Sequence, residues 1–231
     1  MKKYTLILFL MVAATNIIGS YLQNDWMTHY SKPLLMPLLG FYFFVGWDHR
    51  KDVTFVFTII ALFFSWTGDI LLMFQGQDFF LFGLLAFLIA HITYMFDYYY
   101  AQVDLDKKQN RVFITSRIVL YAVVGGVFLK ILWPKLNDMQ IPVMIYAAIL
   151  ILMVVFSILR RDRTSPASFS FIYGGALLFL TSDGMIAVSK FLHPFGHQNE
   201  LIMSTYIFAQ FFIVKGIAEH NKFIHKESTN V

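Results

Sequence analysis

Cysteine is absent from the 231 residues, so neither a disulfide framework nor thiolate chemistry is available. Charge is scarce as well. Asp, Glu, Lys and Arg make up 14% of the chain, where a soluble domain carries about a quarter. That share is too small to coat a water-facing surface. It leaves no basic face for a nucleic-acid partner and no polar tract of the kind that stays disordered. A collagenous repeat is excluded too, with only 13 Gly and 6 Pro. No G-x-S-x-G elbow, phosphate-cradling Gly-rich loop or H-E-x-x-H occurs, which argues against a serine lipase or a zincin.

What remains is apolar. Hydrophobic types reach 58%, Phe alone accounts for 26 residues, and the mean hydropathy is +0.63. A spanning helix needs about 20 mostly apolar residues. Eight runs approach that length: Tyr4–Leu22, Pro33–Trp47, Val53–Phe74, Phe79–Tyr98, Val112–Trp133, Ile141–Leu159, Phe169–Lys190 and Leu201–Gly216. The second and last are short and extend into their flanks. None alternates apolar and polar residues as a β-barrel strand does, and unpaired backbone is too costly in lipid, so the runs are helices. The expectation is an all-α polytopic membrane protein, a bundle of eight transmembrane helices in one domain over residues 1–231. A short polar tail frays after His220. Met-Lys-Lys before the first run resembles a signal peptide, but no small-x-small site follows, so the run reads as a retained first span.

Lys and Arg set the orientation. One set of connections carries thirteen of them: Lys2, Lys3, Arg50, Lys51, Lys107, Lys108, Arg111, Arg160, Arg161, Arg163, Lys215, Lys222 and Lys226. The other carries four, namely Lys32, Lys130, Lys135 and Lys190. Both termini are therefore expected in the cytoplasm. The asymmetry also explains a pI of about 9.2, through a basic rim facing anionic lipid. Compact loops and the lack of Asn-x-Ser/Thr sites fit a bacterial inner membrane. Pro33 and Pro142 near two span starts, with Asp69 and Asp183 in spans three and seven, hint at two parallel four-helix halves.

Ionisable groups deep in spans are rare and usually face a cavity. Asp69 lies five residues before the end of span three and Asp183 seven before the end of span seven. At 1.5 Å per residue both sit roughly 7–11 Å below the outer end, placed to converge on one pocket. Asp97 and Glu219 fall at cytoplasmic ends, where a solvated carboxylate needs no role. Gly83, Phe87, His91 and Tyr94 share one helix face that points into the bundle. A lone His there is more often packing than catalyst. Tyr146, Tyr206 and Gln210 are further polar spots. Lys32 either snorkels to lipid phosphate or binds the phosphate of a lipid substrate. His193 and His197 raise a zinc question, but Pro194 and Gly196 break any helix that would align them. Gly125-Gly126 and Gly174-Gly175 read as close helix packing.

Lys32-Pro33-Leu34-Leu35-Met36-Pro37, Ser65-x-x-Gly68-Asp69-Ile70-Leu71-Leu72, Phe87-x-x-x-His91-x-x-Tyr94 and Gly175-Ala176-Leu177-Leu178-Phe179-x-x-Ser182-Asp183 together resemble the YhhN-like lysoplasmalogenase family. The likeness runs through nearly the whole chain. It implies hydrolysis of the vinyl ether bond of a lysoplasmalogen to a fatty aldehyde and a glycerophospho-ethanolamine or -choline, with a lysophospholipid as partner and no cofactor or metal. The implied catalytic pair is Asp69 and Asp183. One acts as proton donor and the other, ionised, stabilises the cation and positions water, as paired carboxyls do in glycosidases. Which is the donor stays open, because coupled carboxyls titrate as a pair. Lys32 is set to hold the phosphate. His91, Tyr94, Tyr146 and Ser182 complete the expected substrate site.

Three other readings compete. Membrane-embedded Asp pairs also serve as ion relays, which suits a proton- or ion-coupled carrier. Prolines at span ends rather than mid-span weigh against it. A metal-dependent lipid hydrolase would recruit Asp69, Asp183, His193 and His197. A scaffold without chemistry would tolerate loss of both aspartates.

Overall fold

Long apolar runs broken by short polar connections leave helix as the only way to satisfy the backbone in lipid. The computed structural model describes residues 1–47, 52–101 and 108–228, with side chains described to residue 221. Its eight long helices are α1 (Lys2–Tyr21), α2 (Asp25–Val45), α3 (Val53–Leu71), α4 (Gln77–Tyr100), α5 (Arg111–Leu132), α6 (Gln140–Leu159), α7 (Pro166–Ala187) and α8 (Gln198–Ser228). Seven are long and apolar enough to cross a membrane, and the protein is an integral membrane protein. The eighth, α2, opens with a polar stretch containing Asp25, His29 and Lys32, which dilutes its apolar part.

Boundaries follow local chemistry. Asn24, Asn110 and Ser165 accept hydrogen bonds from the first-turn amides of α2, α5 and α7, and Pro166 opens α7 where no amide is needed. Gly76, at φ 125°, supplies a backbone conformation that side chains disfavour in the turn from α3 to α4. Two expectations change. Helix α8 continues to Ser228, so the polar tail is helical through that residue instead of frayed. Pro33 and Pro37 lie inside α2, which begins at Asp25, and not at a span end. The carbonyl of Pro33 accepts a hydrogen bond from Trp66 Nε1 at 2.9 Å. Of the orienting basic residues, Arg50, Lys51 and Lys107 lie outside the described residues, as do the side chains of Lys222 and Lys226.

Consecutive helices pack as hairpins, most extensively α7 with α8, α3 with α4 and α1 with α2. Further contacts of α2 with α3, α4 with α6, α6 with α7 and α8 with α1 close a ring of seven helices. Helix α5 stands outside it, packed chiefly on α6, and buries only Ile114 and Leu132. The two halves of the chain are therefore arranged differently, because α1 joins the ring and α5 does not.

Small residues set the closest approaches. A Cβ on Gly175 would stand 2.9 Å from the Ala209 carbonyl oxygen, and one on Gly216 would stand 3.1 Å from the Ile172 nitrogen. Gly126 has nothing within 4 Å, so it is not a packing glycine. Gly175→Val should therefore lower the thermal midpoint in detergent or prevent folding, while Gly126→Ala should not lower it and should raise it slightly, since Ala is the better helix former. Differential scanning fluorimetry of the two variants checks this.

Candidate active site

Asp69 sits in the last turn of α3, on the face that also buries Ser65 and Gly68. Gly68 has a steric reason to precede it. A Cβ there would come within 2.6 Å of the Phe87 ring on α4, and one on Gly83 would come within 2.8 Å of Leu72. The two glycines let α3 and α4 close, with Phe87 packed on Tyr206, the hydrogen-bond partner of Asp69. Asp69 is 2% exposed. Its Oδ2 accepts a hydrogen bond from Tyr206 of α8 at 2.7 Å, and its Oδ1 faces Lys32 Nζ of α2 at 4.0 Å. The Trp66–Pro33 bond and an Asn16–Ser31 bond at 2.8 Å hold the Lys32 turn against α3 and α1.

Asp183 forms a second cluster. Its Oδ2 accepts a hydrogen bond from Tyr146 of α6 and lies 3.5 Å from His91 Nε2 of α4. His91 Nε2 is also 3.0 Å from the Tyr146 hydroxyl. His91 is fully buried; its Nε2 meets Tyr146 and Asp183, and its Nδ1 has no hydrogen-bond partner among the described residues. The clusters communicate through rings. Phe179 meets His91 edge-on at 4.6 Å and Tyr206 at 5.5 Å, and Phe87 packs on both Phe179 and Tyr206.

Two cavities of opposite character adjoin these clusters. One, of about 550 Å³, opens at the end of the bundle that carries the α1–α2, α3–α4 and α7–α8 connections. Lys32 and Lys190 line it together with Asn16, Ser20 and Thr28. The other, about 210 Å³ and almost wholly apolar, lies among α5, α6 and α7, with Tyr146 and Asp183 in its wall. Phe80, Leu132 and Val143 belong to one compact apolar cluster that touches both cavities.

The structure thus brings together Lys32 with Asp69, and His91 and Tyr146 with Asp183. It does not bring Tyr94 or Ser182 to either carboxyl. The Tyr94 hydroxyl donates to Gln210 at 2.7 Å, because its position on α4 lies a turn below His91 and meets α8 there. Ser182 donates to the Ile202 carbonyl at 3.1 Å and so holds α7 to α8. Tyr206 is the principal partner that sequence reasoning undervalued. Its only signal was the Tyr206/Gln210 spacing, which sets two polar groups on one face of an apolar helix. Gln210 in turn donates to Ser65 at 2.9 Å.

Asp97 departs from expectation. It lies in the last turn of α4 and is fully buried instead of solvated. Arg160, equally buried, lies within electrostatic reach and donates to the Tyr98 carbonyl and to Ser168. Among the described residues, no group of three or more His, Cys, Asp or Glu is placed to hold a metal ion. His197 instead pairs with Glu200 and stacks on Tyr21.

A buried acceptor stripped of its donor costs about 1–3 kcal/mol. Tyr206→Phe and Tyr146→Phe should each destabilise the protein by about that amount, with the secondary structure intact. Thr15→Ala, which removes only an exposed hydroxyl bonded within its own helix, is the neutral control. Chemical denaturation in detergent followed by circular dichroism measures all three.

The YhhN family model matches residues 27–217, which includes every residue of both clusters. A bovine (Bos taurus) protein named Lysoplasmalogenase TMEM86A is 29% identical over 170 residues, 69% of this chain and 64% of that protein. A protein of Mycobacterium tuberculosis named Lysoplasmalogenase is 32% identical over 135 residues, 57% of this chain and 49% of that one. An Escherichia coli protein named Uncharacterized membrane protein YhhN is 23% identical over 205 residues, 87% of this chain and 92% of that one. The chain thus spans less than two thirds of the length of the bovine and mycobacterial relatives. No solved structure matches it. Matched by the family model over most of its length, the chain belongs to the YhhN family.

Proposed function

We propose that the protein hydrolyses the vinyl ether bond of a lysoplasmalogen, releasing a fatty aldehyde and a glycerophospho-alcohol. The observation that carries this reading is the pairing of one buried and one half-buried carboxyl with cavities of opposite polarity. Asp69 faces the lysine of a polar cavity, and Asp183 lines an apolar one. A single-chain ether phospholipid has the same division, a charged head group beside a hydrocarbon chain with the scissile bond at the junction. The names of the bovine and mycobacterial relatives support the same chemistry.

The reaction needs no group beyond water and the two acids. The protonated carboxyl of the pair gives its proton to the alkene carbon remote from the ether oxygen. The π electrons form the new C–H bond and leave an oxocarbenium ion. The ionised partner stabilises that cation and takes a proton from the water that adds to it. The hemiacetal then breaks its C–O bond: the glycerol oxygen takes the proton now held by the second carboxyl, the hemiacetal hydroxyl gives its proton back to the first, and the aldehyde forms. Tyr206 and Tyr146 fix the carboxyls, His91 steadies the Asp183 side, and Lys32 neutralises the substrate phosphate. Tyr94 and Ser182 serve helix packing in this scheme.

A second reading is a proton-coupled carrier. It draws on the buried polar groups that run from Asp69 and Tyr206 through Ser65, Gln210 and Tyr94 toward Asp97 and Arg160, and on a cavity of about 400 Å³ beside Arg160 at the opposite end. Under the hydrolase reading that column is structural. Proteoliposomes loaded with a pH dye then show no proton flux attributable to the protein.

Purified protein should release aldehyde from a lysoplasmalogen. General acid–base groups contribute about 10²–10⁴-fold, so Asp69→Asn and Asp183→Asn should each lower turnover by that factor while the helical signal persists. Full turnover in either variant removes that residue from the mechanism. The proposed setting is a bacterial cell membrane with both termini cytoplasmic. Because the chain has no cysteine, single cysteines at positions 196 and 163 report sidedness: an impermeant maleimide should label Gly196→Cys on intact cells and Arg163→Cys only after lysis.

A further inference from the structure

The apolar cavity among α5, α6 and α7 has two features that packing alone does not explain. Gly184 directly follows Asp183, and a Cβ built on it meets nothing within 4 Å. A side chain at this position would therefore begin in open space. Helix α5, which forms one wall, is anchored to the rest of the bundle at few points. It packs on α6, touches the π-helical turn Val188–Leu192 at one end, and joins α7 through the Tyr121–Tyr173 hydroxyl pair at 2.6 Å. Its outward residues Val123 and Val127 are 58% and 54% exposed and face the bilayer.

A dry cavity of about 150 Å³ holds a benzene molecule. The 210 Å³ here accommodates roughly six to eight hydrocarbon carbons by the same measure, fewer than a fatty chain contains. A chain that enters beside Asp183 must leave again, and the thinly held α5 is the wall it passes. We infer that this cavity is the subsite for the first stretch of the substrate's hydrocarbon chain, the part next to the ether oxygen, and that the remainder passes α5 into the lipid. The inference rests on the hydrolase reading for the identity of the chain. It makes Gly184 the residue that keeps the subsite open, and it ties recognition to the ether-proximal carbons more than to total chain length.

The test uses two saturated-ether lysophosphatidylethanolamines, which cannot be cleaved, with a diazirine either beside the ether or at the chain terminus. In wild-type protein the proximal probe should label Leu150, Val143 and neighbouring cavity residues, and the distal probe should label the outward face of α5. Gly184→Leu should remove proximal labelling and raise KM for a lysoplasmalogen about 10-fold or more, the scale of misfit for one or two carbons, with kcat changed less. Its thermal midpoint should not fall, since the new side chain enters open space. Met11→Phe, on the exposed face of α1, should alter none of these. Proximal labelling spread over the bundle exterior, or unchanged labelling and KM in Gly184→Leu, overturns the subsite. The labelling also separates the two proposals. Cavity labelling without aldehyde release by the wild type keeps the chain subsite and removes the hydrolase, whereas aldehyde release without cavity labelling does the reverse.

Discussion

A carboxyl group inside a membrane protein has no water to bond, so a second helix must supply its donor. That constraint organises this molecule. Tyr206 satisfies Asp69 and thereby links α8 to α3, two helices that are not neighbours in the chain. Tyr146 satisfies Asp183 and links α6 to α7, with His91 of α4 drawn into the same cluster. Hydrophobic burial gives no preference between protein and lipid tails, so such polar links and close van der Waals packing must supply the specificity of association. The ring of seven helices is pinned where these links lie.

Glycine does the complementary work. Gly68 and Gly83 bring α3 and α4 together beside the first carboxyl, and Gly175 and Gly216 do the same for α7 and α8 below the second. In each case the missing Cβ leaves room for a neighbouring ring, side chain or backbone atom. Helix α5 has no comparable device toward the ring. Its Gly125 meets only the tip of Ile151 on α6, and its Gly126 meets nothing. The helix that lies outside the ring thus has no glycine that meets backbone of another helix, and the apolar cavity opens behind it.

The chemistry proposed for the site depends on this unequal construction. A ring closed equally on all sides would offer the bilayer no side entrance. Here the polar cavity with Lys32 and Lys190 opens at one end of the bundle, and the apolar cavity opens near a loosely packed helix. The aromatic cluster of Phe87, Phe179 and Tyr206 packs where the two acidic clusters adjoin.

Eight helices, their approximate limits and the membrane class were legible in the sequence, because twenty-residue apolar runs admit no other spanning structure. Asp69, Asp183 and the inward face of α4 were legible for the same reason: a charge or imidazole in such a run costs too much to face lipid. Partner choice was not legible. Tyr206 and Tyr94 look alike as tyrosines in apolar helices, yet one binds a carboxyl and the other a glutamine, and only the packing of α8 against α3 and α4 separates them. Asp97 read as solvated at a cytoplasmic span end, yet the folded bundle buries it completely. The exclusion of α5 from the ring, and with it the apolar cavity, follows from contacts between residues far apart in the chain. Composition and periodicity decide how each segment meets lipid, since that depends on the segment alone. Which helices touch depends on shape matching between pairs, which exists only once the chain has folded.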